Sequence, residues 1–287
     1  MFTRLGLFLS LAFSLLILAA PAGAQDPRVE PDQEEGSGAR TQTLVIEPPV
    51  LGGEWKPFGP APKRGGQSEN ALPDNGVGGA VHTLAAHPTD PNILYIGSVN
   101  GGIWKTTNAI ATSPTWVQQT DSQTSLSIGA LEFDPTDPNR QTLVAGIGRF
   151  SSFSSRGGNR LGLLRTVNGG DRWVRIDGGG LLVGKNISGV APRGRIIVVS
   201  VNTADSNTFS NIGIFRSTDS GATFKQISNG DGSATGLPGG VCNDLAGDPV
   251  NPARLFAPVV FATSVGGLNG IYRSTDTGAS WKKVSDA

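Results

Sequence analysis

Three stretches share one frame: Thr166-Val-Asn-Gly-Gly-Asp-Arg-Trp173, Ser217-Thr-Asp-Ser-Gly-Ala-Thr-Phe224 and Ser274-Thr-Asp-Thr-Gly-Ala-Ser-Trp281. The frame reads hydroxyl, x, Asp or Asn, x, Gly, x, x, aromatic. A fourth copy opens at Thr106-Thr107-Asn108, with its aromatic displaced by an insertion to Trp116. The aromatics recur about every 50 to 60 residues, a period long enough for four short strands. The box itself reads as a hairpin clamp. Its Asp or Asn (Asn108, Asn168, Asp219, Asp276) can accept hydrogen bonds from turn N–H groups, its Gly (Gly170, Gly221, Gly278) can take positive φ, and its aromatic (Trp116, Trp173, Phe224, Trp281) can pack between sheets. An Asp or Asn that recurs in every unit at a turn is not evidence of acid or base catalysis.

Working outward, each unit begins alike: Leu84-Ala-Ala-His-Pro, Leu131-Glu-Phe-Asp-Pro and Leu245-Ala-Gly-Asp-Pro, with Val190-Ala-Pro-Arg-Gly a shortened copy. A strand runs into a turn, a β-rich second strand follows, then a variable loop, a third strand (Gly102-Ile-Trp-Lys, Gly162-Leu-Leu-Arg, Gly213-Ile-Phe-Arg, Gly270-Ile-Tyr-Arg), the box and a fourth strand. Four antiparallel strands per repeat predict an all-β chain, a β-propeller with blades at about 77–120, 121–177, 178–228 and 229–287. With 41 glycines and only 16% charged residues, the composition agrees.

The N-terminus reads differently. Arg4, an apolar run from Leu5 to Ala20 and Ala22-Gly23-Ala24 form a signal peptide over residues 1–24, cleaved after Ala24, which predicts a secreted or periplasmic protein. No second run is long enough to span a bilayer, so stable membrane insertion is not expected. Residues 25–50 are acidic and rich in Pro and Gly, the composition of a linker, and the repeat region occupies 51–287. Cys242 stands alone, so no intramolecular disulfide can form. Basic and acidic residues balance at 23 each, which argues against nucleic acid as a partner drawn by bulk charge.

The boxes resemble the Asp-box, or bacterial neuraminidase repeat, of sialidases, sortilin-type receptors, xyloglucan-cleaving glycoside hydrolases and photosystem assembly propellers. Trp55-Lys-Pro-Phe-Gly-Pro60 and Gly97-Ser-Val-Asn-Gly-Gly-Ile-Trp-Lys-Thr-Thr-Asn108 resemble the opening of exported sialidase-like and sortilin-like repeat proteins. The resemblance implies a ring of six to eight blades, of which four are visible. A sialidase would resemble its family further through an Arg-Ile-Pro motif, which is absent, and through a Tyr nucleophile, whereas Tyr95 and Tyr272 both fall in strand columns. Trp55-Lys-Pro-Phe resembles a fourth strand with no first three before it. Residues 55–60 are therefore expected to be an orphan outer strand, with further blades encoded beyond Ala287.

Candidate chemistry is sparse. His87 falls in the turn column of Asp134 and Asp248, and His82 sits at the mouth of a first strand, where a propeller could aim it into the channel. Asn229-Gly-Asp231-Gly-Ser233 and Asp134-Pro-Thr-Asp137 have calcium-like oxygen spacing but lack the Gly and distal Glu of a calcium loop. No cofactor or metal is expected, and calcium is the one ion the spacing leaves open. The long loop from Arg149 to Gly162 carries Arg149, Phe153, Arg156 and Arg160, and the next blade's loop carries Asp205. Arginine with aromatics suits a glycan or protein ligand. The first functional reading is therefore a binding or interaction scaffold. The alternative is a glycoside hydrolase of the Asp-box group with Asp177 and Asp244 as its carboxylates, and a second alternative is an assembly factor for a membrane complex.

Overall fold

A computed structural model describes residues 80–151, 155–205, 211–248, 250–260 and 266–285. The expected signal peptide, linker and orphan strand at Trp55 lie outside these residues, as does Phe153.

Among the described residues sixteen strands form four antiparallel sheets in strict chain order. The first blade holds β1 (Val81–Ala86), β2 (Leu94–Ser98), β3 (Ile103–Thr106) and β4 (Val117–Gln118). In the second, β5 (Ile128–Phe133), β6 (Leu143–Ile147), β7 (Leu163–Thr166) and β8 (Val174–Ile176) follow. Blade three is β9 (Lys185–Arg193), β10 (Ile196–Ala204), β11 (Gly213–Ser217) and β12 (Lys225–Gln226). Blade four is β13 (Ala246–Gly247), β14 (Leu255–Val259), β15 (Gly270–Ser274) and β16 (Lys282–Lys283). The innermost strands β1, β5, β9 and β13 adjoin one another in that order, so the blades stack side by side around a common axis. The fold is all-β, with the four-stranded antiparallel blades of a propeller.

Hydrophobic burial between blades holds the stack, since a blade is too thin to own a core. The second blade shows why its strands are apolar on both faces. Leu143, Ala145 and Leu164 pack with Tyr95 and Ile103 of the first blade, while Val144 and Leu163 pack with Ile197 and Phe215 of the third. A third cluster joins Val198 and Ile214 to Leu255, Tyr272 and Trp281. Alternation along a strand, which points successive side chains to opposite faces, here serves two neighbouring blades.

The repeated turn clamps the third strand to the fourth in each blade. In the third blade the Ser217 hydroxyl donates to Asp219 Oδ1 at 2.7 Å, Thr223 N donates to the same oxygen at 2.9 Å and the Thr223 hydroxyl donates to Oδ2 at 2.6 Å. Asp276 accepts the same set from Ser274 and Ser280, and Asn168 accepts from Thr166 and Arg172 N. Asn108 does so across the insertion, from Thr106 and Thr115. Gly170, Gly221 and Gly278 all sit in the left-handed region, with φ of 96°, 92° and 81°. Trp173, Phe224 and Trp281 are buried, whereas Trp116, in the first blade, is half-buried.

Candidate functional site

The inner strands enclose an axial groove of about 550 Å³ to which all four blades contribute. Val81, Leu84, Leu131 and Val190 give it apolar walls, and its polar groups are His82, Thr83, Glu132, Ser188, Asn243 and Asp244. Sequence periodicity explains their placement, because every unit begins with the strand nearest the axis. His82 does face the groove. Its ring stacks on Phe150, with centroids 4.2 Å apart and planes 16° from parallel. Gly129 and Gly148 make this stack feasible, since a Cβ on either would stand 2.3 or 2.4 Å from the Phe150 ring. The long loop of the second blade thus begins over the groove.

Glu132 is the group that sequence reasoning missed. The corresponding position of the other first strands holds Ala85, Ala191 and Ala246, so a glutamate in an alanine column was the available signal. Burial pushes its carboxyl up, Arg193 opposes this through charge and a hydrogen bond, and the charges of Asp134 and Asp244 add to the rise, leaving it at about 7. Its side chain still keeps 28% exposure, on the groove side. His82 is lowered by burial against the opposing pull of the Asp244 charge. Asp244 is exposed at the groove, its Oδ1 taking the N–H of Leu245 at 2.7 Å. Glu132, Asp244 and His82 therefore form one electrostatically coupled set.

Asp177 does not join them. It follows β8, lines a separate shallow depression beside the Asp219 turn, and is bound to Arg175 Nη2 at 2.7 Å and to Gly180 N at 3.1 Å. Those hydrogen bonds hold its carboxyl below the usual range. The expected Asp177 and Asp244 pair is corrected on this point: fourth strands face outward and first strands inward, so the carboxyl that shares Asp244's groove is Glu132.

Two of the loop arginines brace the loop itself. Arg149 Nε donates to Gly158 O at 2.8 Å, its N–H donates to Asn186 Oδ1, and Arg160 pairs with Asp205 across the blade boundary. Arg156 is exposed, and among the described residues its carbonyl is engaged by Asn100 Nδ2 at 3.2 Å. The calcium-like segments spend their oxygens on backbone. Asp137 takes Asn139, Gln141 and Thr142 N–H groups, Asp134 takes Thr136 and Gly194, and Asp231 takes Ser233. His87 Nδ1 similarly accepts Asp90 N at 3.0 Å. Among the described residues no group of three or more His, Cys, Asp or Glu is placed to hold a metal ion. Tyr95 and Tyr272 are buried, their hydroxyls donating to Gly169 O and Leu268 O, both at 2.6 Å. No helix of the described residues is long and apolar enough to cross a membrane.

Fold and groove together define a blade-repeat protein of the propeller class with an acidic axial site. In sequence the chain is similar to a xyloglucanase of Acetivibrio thermocellus, 24% identical over 236 residues that cover 73% of this chain and 26% of that one. It is also similar to a xyloglucanase of Paenibacillus sp, 26% identical over 72% of this chain and 21% of the relative. The chain thus spans about a quarter of the length of these relatives. Among solved structures, an ancestral GH74 enzyme superposes with a TM-score of 0.48 at 16% identity, over 80% of this chain and 25% of that one. The GH74 xyloglucanase from Xanthomonas campestris gives 0.47 at 23% identity, over 72% and 31%. No protein-family model matches the chain.

Proposed function

We propose that this chain is an exported, glycan-active module that hydrolyses a glucan of the xyloglucan type in the axial groove, with Glu132 as proton donor and Asp244 as its carboxyl partner. The observation that carries the reading is the pairing of environments in one groove: a Glu132 carboxyl pushed up to about 7 and an exposed Asp244. Glycoside hydrolysis uses two carboxyl groups, one protonated to deliver a proton to the leaving oxygen and one to act on the opposite side. A carboxyl near 7 is suited to the first task. The His82 and Phe150 stack adds an apolar ring surface, which suits the face of a pyranose. The xyloglucanase relatives support the substrate class.

The experiment is release of reducing ends from xyloglucan by the purified chain, compared with Glu132→Gln and Asp244→Asn. Loss of the general acid should lower turnover about 10²-fold or more. One observation favours the non-catalytic scaffold reading instead, namely that Glu132 serves as counter-ion to the buried Arg193. Xyloglucan binding with no turnover in the unaltered chain would establish that second reading.

A further inference from the structure

Three departures from the repeat frame meet at one point. The first strands end in Leu84-Ala85-Ala86-His87, Leu131-Glu132-Phe133-Asp134, Val190-Ala191-Pro192-Arg193 and Leu245-Ala246-Gly247-Asp248. Glu132 interrupts a column of alanines, Arg193 a column of turn-capping side chains, and Gly247 stands in the column of Ala86, Phe133 and Pro192. Each of the three belongs to a different blade. Yet Arg193 Nη1 donates to Glu132 Oε1 at 2.8 Å, and a Cβ on Gly247 would overlap Arg193 Nη2 and stand 2.8 Å from the same Oε1.

The turn does not require the arginine. His87, Asp134 and Asp248 cap their own turns, accepting the N–H groups of Asp90, Thr136 and Val250 at 3.0, 2.9 and 2.8 Å. In the third blade the neighbouring Asp134 takes over that task, its Oδ2 accepting Gly194 N at 2.6 Å. Arg193 is thereby released to point between blades, where Pro252 O accepts its Nε at 2.8 Å and Pro192 O its Nη1 at 2.6 Å. The backbone does not require the glycine either. Gly247 lies outside the left-handed region, so an alanine could adopt its conformation, and what glycine supplies there is space.

We infer that Arg193 and Gly247 are positioning residues for the Glu132 carboxyl, the guanidinium holding Oε1 and the glycine opening the space in which it does so. This rests on the hydrolase reading of the groove. A guanidinium only donates, so Oε1 stays an acceptor and the proton that Glu132 delivers is confined to Oε2. With Oε1 pinned from the protein side, Oε2 is left to the groove, the side on which the side chain keeps its exposure. The same contact sets the proton affinity. Arg193 of β9, Asp134 at the end of β5 and Asp244 ahead of β13 bear on Glu132, with His82 of β1 also lining the groove. Of the first three, Arg193 favours the ionised carboxyl and the two aspartates, with burial, oppose it. A displaced guanidinium therefore sends the carboxyl further up and lets it turn.

Isotope-edited NMR of the glutamate carboxyls in the full chain, with Glu132→Gln to assign the signal, reads this titration without requiring turnover. Gly247→Ala leaves every charge in the chain and, because the atoms it meets end flexible side chains, displaces the pair rather than the strands. Its Glu132 midpoint should rise above the parent's by about one pH unit or more. On xyloglucan its kcat should fall about tenfold or more at unchanged KM. Arg193→Lys returns a cation without the planar fork, so the midpoint should stay near the parent's while kcat remains low. A parental midpoint in Gly247→Ala, or parental kcat in either variant, would overturn the inference whatever the melting temperature does. A parent chain without turnover overturns the hydrolase reading instead, and the titration of Gly247→Ala then decides alone whether the pair positions the carboxyl.

Discussion

Arg193 Nη1 lies 2.8 Å from Glu132 Oε1, and the Arg193 side chain is 1% exposed. The guanidinium belongs to the third blade, its carboxyl partner to the second, and its Nε donates to Pro252 O of the fourth at 2.8 Å. One side chain therefore ties three blades together at the floor of the groove. Removing one partner of a buried pair costs about 3 to 5 kcal/mol. Arg193→Ala should lose stability in that range in urea unfolding, and a change below about 1 kcal/mol would show that the pair is not a structural tie.

The pH dependence of stability follows from the same residue. A carboxyl raised to about 7 in the folded chain contributes stability that is full below its ordinary pKa of 4.5 and is lost as pH rises through about 7. Denaturation of the parent and of Glu132→Gln at pH 5 and pH 8 should therefore show a parent-specific loss on the alkaline side. Parallel curves would mean that the carboxyl is ionised throughout.

The turns respond in the opposite direction. Asp219 is held at about 2 by the Thr223 hydroxyl, then by the Thr223 N–H and the Ser217 hydroxyl. Its contribution is present above the ordinary carboxylate value and fades as pH falls towards 2. Asn stands at this position in the first two blades, so Asp219→Asn should keep the clamp and flatten the acid limb of the melting curve. Asp276→Ala removes the acceptor outright and should cost about 1 kcal/mol without altering turnover or glycan affinity. A selective loss of activity at unchanged stability would contradict the structural role.

Trp173 is 6% exposed, yet among the described residues its indole N–H meets no hydrogen-bond acceptor. Trp173→Ala should cost about 3 kcal/mol or more, whereas Trp173→Phe keeps a ring, drops the unpaired N–H and should cost below about 1.5 kcal/mol. Equal losses in thermal unfolding would show that the N–H is satisfied in solution.

The long loop divides its arginines by role. Arg160→Ser breaks the contact with Asp205 and should raise the loop's protease sensitivity, as should Asp205→Asn, while Arg156→Ser should leave proteolysis unchanged. If Arg156→Ser alone weakens xyloglucan binding, the exposed guanidinium is a ligand contact. Equal protease sensitivity of all three variants would remove the distinction.

Part of this architecture was legible in the sequence. The turn motif was, because its geometry is local: a hydroxyl, an Asp or Asn and a Gly within five residues specify their own hydrogen bonds, and Asp219 and Asp276 make them. Strand order was legible for the same reason. The groove was not. Glu132 meets Arg193 across 61 residues and feels Asp244 from another blade, a relation that no spacing encodes. Asp177 and Asp244 looked alike as non-repeat carboxylates between blades, but one follows a fourth strand and the other precedes a first, and only the latter faces the axis. The loop arginines lie in a segment with no counterpart in the repeat frame, while the acceptors that engage two of them, Gly158 O and Asp205, could be found only in three dimensions.

The most direct test of the proposed activity is the pH profile of xyloglucan hydrolysis by the parent chain and by Glu132→Gln. A general acid pushed up to about 7 must be protonated to act, so turnover by the parent should fall with a midpoint near pH 7 on the alkaline side. Glu132→Gln should retain substrate binding, turn over about 10²-fold more slowly and lack that midpoint. An unchanged rate and an unchanged alkaline limb in Glu132→Gln would contradict the assignment of the axial groove as the catalytic site.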